Sequence, residues 1–438
     1  MSLMLKNKNF QIAWIAQFFY QLGSSFVEMT LLYHVGESTE SGFAVAFLFF
    51  LLKFPVLFMG VISGLIVDRY DRRRIMVYTV IVRVVATGFL ALLNQYLAVV
   101  YVMVLMMAVL NNLYRTAEGA LIPEIVDKED LMQASGMFNI TEHGTTLLAL
   151  GVVFGMNAWL REPLVTFGVG GILMATGFLY QRKLAAISIM VNNSERKKVD
   201  GSAVLRRAFW ANGWTRVKKE LQEGFNYIKT TLWCRRMVLH LIVVNTVILV
   251  IISMAKVYGQ EYLATTSMGE VGQFVIMPIL FGFVMAVAAL PYLQRRHSKL
   301  TLIAYGATGA ALSILGMGLF KLFSPWTSVD WWARWICYIL LFAIGASAVN
   351  TLVPGYVLLQ ESAENRVRGR ALGVLFSAIT GLSAIPLLLV GAVMSKWGVV
   401  PILVVMGLLL AFYSSTLFRY ITDENIQLEN GADINMEP

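Results

Sequence analysis

The sequence predicts an all-α integral membrane protein with 12 transmembrane helices in two six-helix halves, and three observations predict it. First, 58% of the 438 residues are hydrophobic and 14% are charged, with a mean hydropathy of +0.69. A soluble chain of this length carries nearer a quarter charged residues, so the polar surface that water-facing domains need is missing. Second, apolar runs recur that are long enough for helices crossing ~30 Å of hydrocarbon, each needing about 20 residues. Third, Lys and Arg crowd into alternate connections between those runs. A soluble enzyme, a disordered chain and a nucleic-acid binder are all disfavoured.

The N-terminal half, 1–181, holds runs near 10–33, 43–67, 75–94, 97–122, 135–158 and 164–181. The C-terminal half, 236–420, holds runs near 236–258, 271–293, 299–320, 332–356, 371–394 and 399–419. These runs lack the ten-residue alternation of outer-membrane barrel strands. The first run has no small-residue cleavage site behind it and reads as a span. Between the halves, 182–235 is a basic, polar linker. Within it Trp214, Val217, Leu221, Phe225 and Ile228 share one face of an amphipathic helix suited to the cytoplasmic headgroups, although a plain solvated linker fits as well. The tail, 421–438, is acidic and polar and reads as disordered.

Basic residues at Arg69 to Arg74, in the linker, at Arg295 to Lys299 and at Arg366 to Arg370 mark one side of the membrane. By the positive-inside rule that side is cytoplasmic, which places both termini inside and accounts for the net charge of +9 without a polyanion. A faint repeat pairs Ala134-Ser135-Gly136 with Ala371-Leu372-Gly373, as expected of tandem halves rocking about a central site.

Ionisable and polar residues inside spans are functional candidates, because each is costly unless paired or wetted. Gln17, Gln21, Ser24 and Glu28 fall on one face of the first span, which reads as cavity-lining. Counted at 1.5 Å per residue, Glu28 lies ~8 Å and Lys53 ~15 Å from the outer surface, which predicts a Glu28–Lys53 pair. Asn111, Arg115 and Glu118 share a face of the fourth span, while Asn139, Glu142, His143 and Thr146 mark the fifth. Arg115 and Glu142 each lie ~11–12 Å from the cytoplasmic side, which predicts a second pair. A carboxylate beside His or Arg can change protonation as its surroundings alternate between wet and dry, so Glu28 and Glu142 are the candidate proton sites. Purely structural ion pairs fit the same residues, and His143 suits an interhelical hydrogen bond. In the C-terminal half the polar groups Asn245, Gln273, Asn350 and Ser377 are uncharged; Asn245, Gln273 and Asn350, with Asn111 of the fourth span, are candidate cavity-lining residues, and Lys256 is expected to snorkel.

The run Gly64-Leu65-Ile66-Val67-Asp68-Arg69-Tyr70-Asp71-Arg72-Arg73-Arg74 is the most specific motif. A glycine at a span's end permits close helix approach, and the arginines anchor the turn to headgroups. The run resembles the Gly-x-x-x-Asp-Arg-x-x-Arg-Arg/Lys loop of the major facilitator superfamily. The stretch from Pro123 to Ala134, with Val126 and Leu131, is similar to the entry to the fifth span in that family's macrolide-efflux and enterobactin-exporter branch. Glu220 to Ile228 and Arg368 to Gly373 resemble two further segments of the same branch. The resemblance implies a proton-coupled exporter of amphipathic compounds, gated on the cytoplasmic side by Gly64, Asp68, Arg69 and Arg73. Met107 stands where such exporters often carry an arginine, and Gly144, Gly151 and Gly155 remain of an antiporter pattern without its proline.

No phosphate-binding loop, metal-ligand set or nucleophile elbow is present, so no cofactor, no metal and no enzymatic activity are expected. The expected protein is a monomer in a prokaryotic cytoplasmic membrane. It exports a medium-sized amphipathic molecule, such as a macrolide-like drug or a siderophore, against protons. Its partners are that small molecule, protons and the lipid bilayer, with no nucleic acid. Uptake, a lipid-like substrate, or a non-transporting sensor or scaffold are the alternatives.

Overall fold

The computed structural model describes residues 7–39, 41–67, 70–126, 131–160, 162–191, 232–323, 331–361 and 377–429. Asp68, Arg69, the linker helix expected between Trp214 and Trp233, and the entry to the eleventh span lie outside the described residues.

Among the described residues all regular structure is helical. In chain order the helices are α1 (Lys8–Ser38), α2 (Gly42–Lys53), α3 (Val56–Val67), α4 (Arg72–Leu93), α5 (Leu97–Ile125), α6 (Leu131–Leu160) and α7 (Pro163–Val191). After the undescribed linker come α8 (Leu232–Leu263), α9 (Met268–Val271) leading through a π turn at Gly272–Ile276 into α10 (Met277–Arg296), α11 (Lys299–Phe323) and α12 (Trp331–Glu361). The last two are α13 (Ile385–Trp397) and α14 (Val400–Glu429). Among the described residues, ten segments are long and apolar enough to cross a membrane. α1 and α6, at 31 and 30 residues, have the length but carry Gln, Ser, Thr, Asn and Glu along their spans. With them the segments number twelve.

Two spans are broken by proline. Pro55 has no N–H to donate, so the run expected as one helix over 43–67 is α2 and α3, joined by a turn at Phe54 and Pro55. Before Pro386 the backbone turns at Ser383 and Ala384. There Thr246 Oγ1 donates to the Ser383 carbonyl at 3.3 Å, and Ser383 Oγ donates to the carbonyls of Ile379 at 2.5 Å and Ile242 at 3.2 Å. Hydroxyls from a neighbouring helix thus serve backbone that lipid cannot. At the far end α14 runs to Glu429, so the first part of the stretch expected to be a disordered tail is helical, as is the start of the expected linker up to Val191.

The chain separates into two compact units. One comprises Met1–Val35 with Leu51–Asn226, the other Gly36–Phe50 with Tyr227–Pro438. In the first, α4 packs between α5 and α7, and α3 lies on α5. In the second, α11 packs between α12 and α14, and α12 also meets α10 and α8. The α10–α12 crossing is backbone on backbone. A Cβ on Gly282 would run into the Phe342 carbonyl, and one on Gly345 into the Ile279 carbonyl. Small residues at such a crossing let helices approach where no hydrophobic effect drives them together. We therefore expect Gly345→Ala to cost about 3 kcal/mol, the upper end of overpacking, since a carbonyl cannot move aside as a side chain can. Gly88→Ala, where a Cβ meets nothing within 4 Å, should be neutral or slightly stabilising. Thermal unfolding in detergent distinguishes the two.

Candidate functional site

The first unit builds its polar interior around an arginine that the sequence reading passed over. Arg83 sits midway along α4 in the run Val80 to Ala86, and its side chain is 1% exposed. An arginine cannot shed its charge to escape burial, so its donors need acceptors. Arg83 Nη1 donates to Tyr20 Oη at 2.5 Å and to Asn111 Oδ1 at 2.7 Å, and Nη2 donates to Ser24 Oγ at 2.7 Å. Tyr20 Oη donates on to Asn111 Oδ1 at 3.1 Å, and Ser24 Oγ to Glu28 Oε1 at 3.3 Å. The guanidinium also lies 5.3 Å from the Tyr20 ring centroid. Glu28 is the nearest counter-ion, with Oε1 3.9 Å from Nη2 and its side chain 20% exposed.

This corrects the expected Glu28–Lys53 pair. Glu28 meets Arg83, and no ion pair joins Lys53 to a carboxylate among the described residues. Lys53 ends α2 because Pro55 ends the helix there, and depth along a span says nothing about which way a side chain faces. The signal for Arg83 was available: a lone cation within an apolar run of the third span.

On α1, Gln17 is buried and donates to the Phe138 carbonyl at 3.2 Å. Ser24 and Glu28 join the Arg83 network, while Gln21 is half-buried and outside it. α1 lies tight against α7, where a Cβ on Gly177 would sit 2.8 Å from the Tyr20 backbone nitrogen. Tyr20 stacks on Tyr114 with centroids 3.7 Å apart, and Tyr114 Oη accepts from Gln181 Nε2 at 2.7 Å.

Arg115 and Glu142 form a two-pronged ion pair, Nη1 to Oε1 at 2.7 Å and Nη2 to Oε2 at 2.7 Å, with side chains 50% and 20% exposed. The fork-to-fork geometry is the strong form of this interaction. Glu118, one turn along α5 from Tyr114, has an Oε1 shut off from solvent with no hydrogen-bond partner. The side chains of His143 and Asn139 lie outside the described set.

At the basic loop, Asp71 caps α4 by accepting from the Arg73 backbone N–H at 3.0 Å. Arg72 Nη1 reaches the Ala120 carbonyl at 2.6 Å and Glu124 Oε1 at 2.8 Å, tying α4 to the end of α5. The bridge from this loop to α5 is made by Arg72, the neighbour of the motif's Arg73. Gly64 departs from its expected packing role, since a Cβ there would meet nothing within 4 Å in this conformation.

In the second unit the predicted cavity residues are quieter. Asn245 Nδ2 donates to its own helix at the Leu241 carbonyl, 2.8 Å, and to Tyr356 Oη at 3.4 Å. Asn350 Nδ2 donates to the Ala346 carbonyl at 3.2 Å, leaving Oδ1 buried without a partner. Gln273 lies exposed on the π turn. Lys256 does not snorkel: Nζ donates to the carbonyls of Gly36 and, at 2.7 Å, Thr39, capping the C-terminus of α1. Sequence reading also passed over His240, fully buried between Tyr413 Oη at 2.7 Å and the Thr351 carbonyl at 3.2 Å.

Residues 13–386 match the family model described as Major Facilitator Superfamily. Macrolide efflux protein A of Streptococcus pyogenes is 21% identical over 207 residues, taking in 45% of this chain and 51% of that protein. The chain thus spans about half the length of the curated relatives it matches. Among solved structures, the nucleoside transporter NupG superposes with a TM-score of 0.66 at 10% identity, covering 94% of this chain and 99% of that one. The POT family transporter PepTSo gives 0.67 at 13% identity, covering 95% and 98%. At these identities the likeness is one of fold.

The network generates a stability prediction. Arg83→Leu removes the hub and strands Asn111, Ser24 and Glu28 against a new apolar side chain, at an expected cost of about 3 kcal/mol. Arg83→Lys, which keeps the charge but loses the fork, should fall between it and wild type in thermal unfolding of the purified protein.

Proposed function

The chain belongs to the Major Facilitator Superfamily, a multi-pass secondary transporter of small molecules, and we propose that it exports a medium-sized amphipathic compound in exchange for protons. The observation that carries this reading is the separation of charge. Side-chain ion pairs within membrane spans, Glu28 with Arg83 and Arg115 with Glu142, are grouped in the first unit. The second unit's span interiors offer Asn245, Asn350, Tyr356 and the buried His240 beside Met and Phe. Carboxylates that hold arginines in a dry site can exchange a proton when the site is wetted, which is the elementary step of ion coupling. A neutral apolar wall suits an amphipathic substrate with few strong hydrogen bonds.

Similarity to macrolide efflux protein A supports a macrolide-like substrate and outward direction; a siderophore is the other candidate of the same size and character. Gly64, Asp68, Arg69 and Arg73 are assigned to the cytoplasmic gate on the motif they form. The location is a prokaryotic cytoplasmic membrane with both termini inside, resting on the basic connections. The protein is taken as a monomer.

The test uses energised inside-out vesicles with a pH-sensitive dye and a panel of macrolides and siderophores. Substrate-dependent collapse of the pH gradient is expected in wild type. Asp68→Asn and Glu28→Gln should lower it by about tenfold or more, a barrier change of ~1.4 kcal/mol. No collapse with any compound, from folded and inserted protein, would remove proton-coupled export of these compounds. Uptake, another ion or a lipid-like substrate would then lead.

A further inference from the structure

Two carboxylates and one guanidinium come together in the first unit beside the C-terminal third of α5. Glu118 lies beside Arg115 on its own helix and Glu142 on α6. Both terminal nitrogens of Arg115 are engaged with the two oxygens of Glu142. Among the described residues Arg115 is the cation brought against Glu118; its other polar neighbour is the Tyr114 hydroxyl, itself held by Gln181 from α7. Across that ring, Tyr20 from α1 faces it and carries the contact to Arg83 of α4 and to Glu28. Yet Glu118 Oε1 is shielded from water and accepts no hydrogen bond.

Counting charge decides what this trio needs. With both carboxyls ionised it carries one excess negative charge within the membrane spans, and the shielded Glu118 Oε1 accepts no hydrogen bond to offset it. Glu142 is gripped by both prongs of the guanidinium fork. Glu118 shares that guanidinium and has no fork of its own.

We propose that Glu118 holds the exchangeable proton of this transporter in the present conformation, with Arg115 as the cation that Glu118 and Glu142 share. On release, the Glu118 O–H bond breaks, the electron pair stays on the carboxylate and the proton passes to water entering beside Arg115. The guanidinium then lies between two ionised carboxylates and can swing from one to the other. This rests on the proton-coupled reading above, and it moves the proton from Glu28 and Glu142, which each have an arginine, to the carboxyl that has none to itself.

The test reads protonation directly, without a substrate. Infrared difference spectra of the reconstituted full-length protein between acidic and alkaline buffer should show the carbonyl stretch of a shielded protonated carboxyl. That band should vanish in Glu118→Gln and persist in Glu28→Gln and Glu142→Gln. Glu118→Gln mimics the protonated group and should unfold thermally as wild type does, while substrate-dependent proton movement in vesicles falls at least tenfold. A band that survives Glu118→Gln, or that is absent from wild type, overturns the assignment. If the band behaves as expected but no compound moves protons, the transport reading fails while the protonated Glu118 stands.

Discussion

A guanidinium buried among apolar helices must find acceptors inside the protein, and the arrangement of the first unit follows from that constraint. Arg83 on α4 draws Tyr20 and Ser24 from α1 and Asn111 from α5. Those bonds fix which face each helix turns inward. Tyr20 can serve only if α1 lies close, and the glycines at the α1–α7 crossing permit that approach. Its ring then stacks on Tyr114, whose hydroxyl is held by Gln181 of α7. One cation thereby ties four helices together, and Ser24 and Glu28 on the polar face of α1 answer that cation.

The fold was legible because hydropathy and length are one-dimensional properties. Even α1 and α6, which carry polar side chains along their length, were legible as spans from their place in a series with alternating basic connections. The partner of Glu28 was not. Depth along a helix can be counted residue by residue, which is how Arg115 and Glu142 were matched. Azimuth depends on every neighbouring side chain, which is why Lys53 was chosen and Arg83 missed. Pro55 contributed too, since it ends α2 at Lys53 where a continuous span was assumed. A tighter rule would have caught the error: every charge within an apolar run needs a partner, and Arg83 had been given none.

The two units meet the same constraint by different means. In the second, strong donors lean on backbone: Lys256 on the carbonyls of Gly36 and Thr39, Lys321 on the carbonyl of Glu261, and Asn245 and Asn350 on their own helices. A backbone carbonyl has no proton to exchange, so these contacts hold structure and nothing more. In the first unit the acceptors are carboxylates and phenols, whose charge can change. The carboxylate–arginine pairs named above lie in the first unit, while the second holds a buried imidazole, His240, against the Tyr413 hydroxyl.

Within that unit the two arginines are not equivalent. Arg83 is 1% exposed, and water cannot replace the partners it would lose by moving. It acts as a fixed post. Arg115 is half-exposed, so its bonds to Glu142 are far less enclosed than those of Arg83. A switch needs an element with two arrangements of similar energy, and a fully buried hub does not have them. Motion is thus directed to Arg115, where a second carboxyl, Glu118, stands within reach of the same fork.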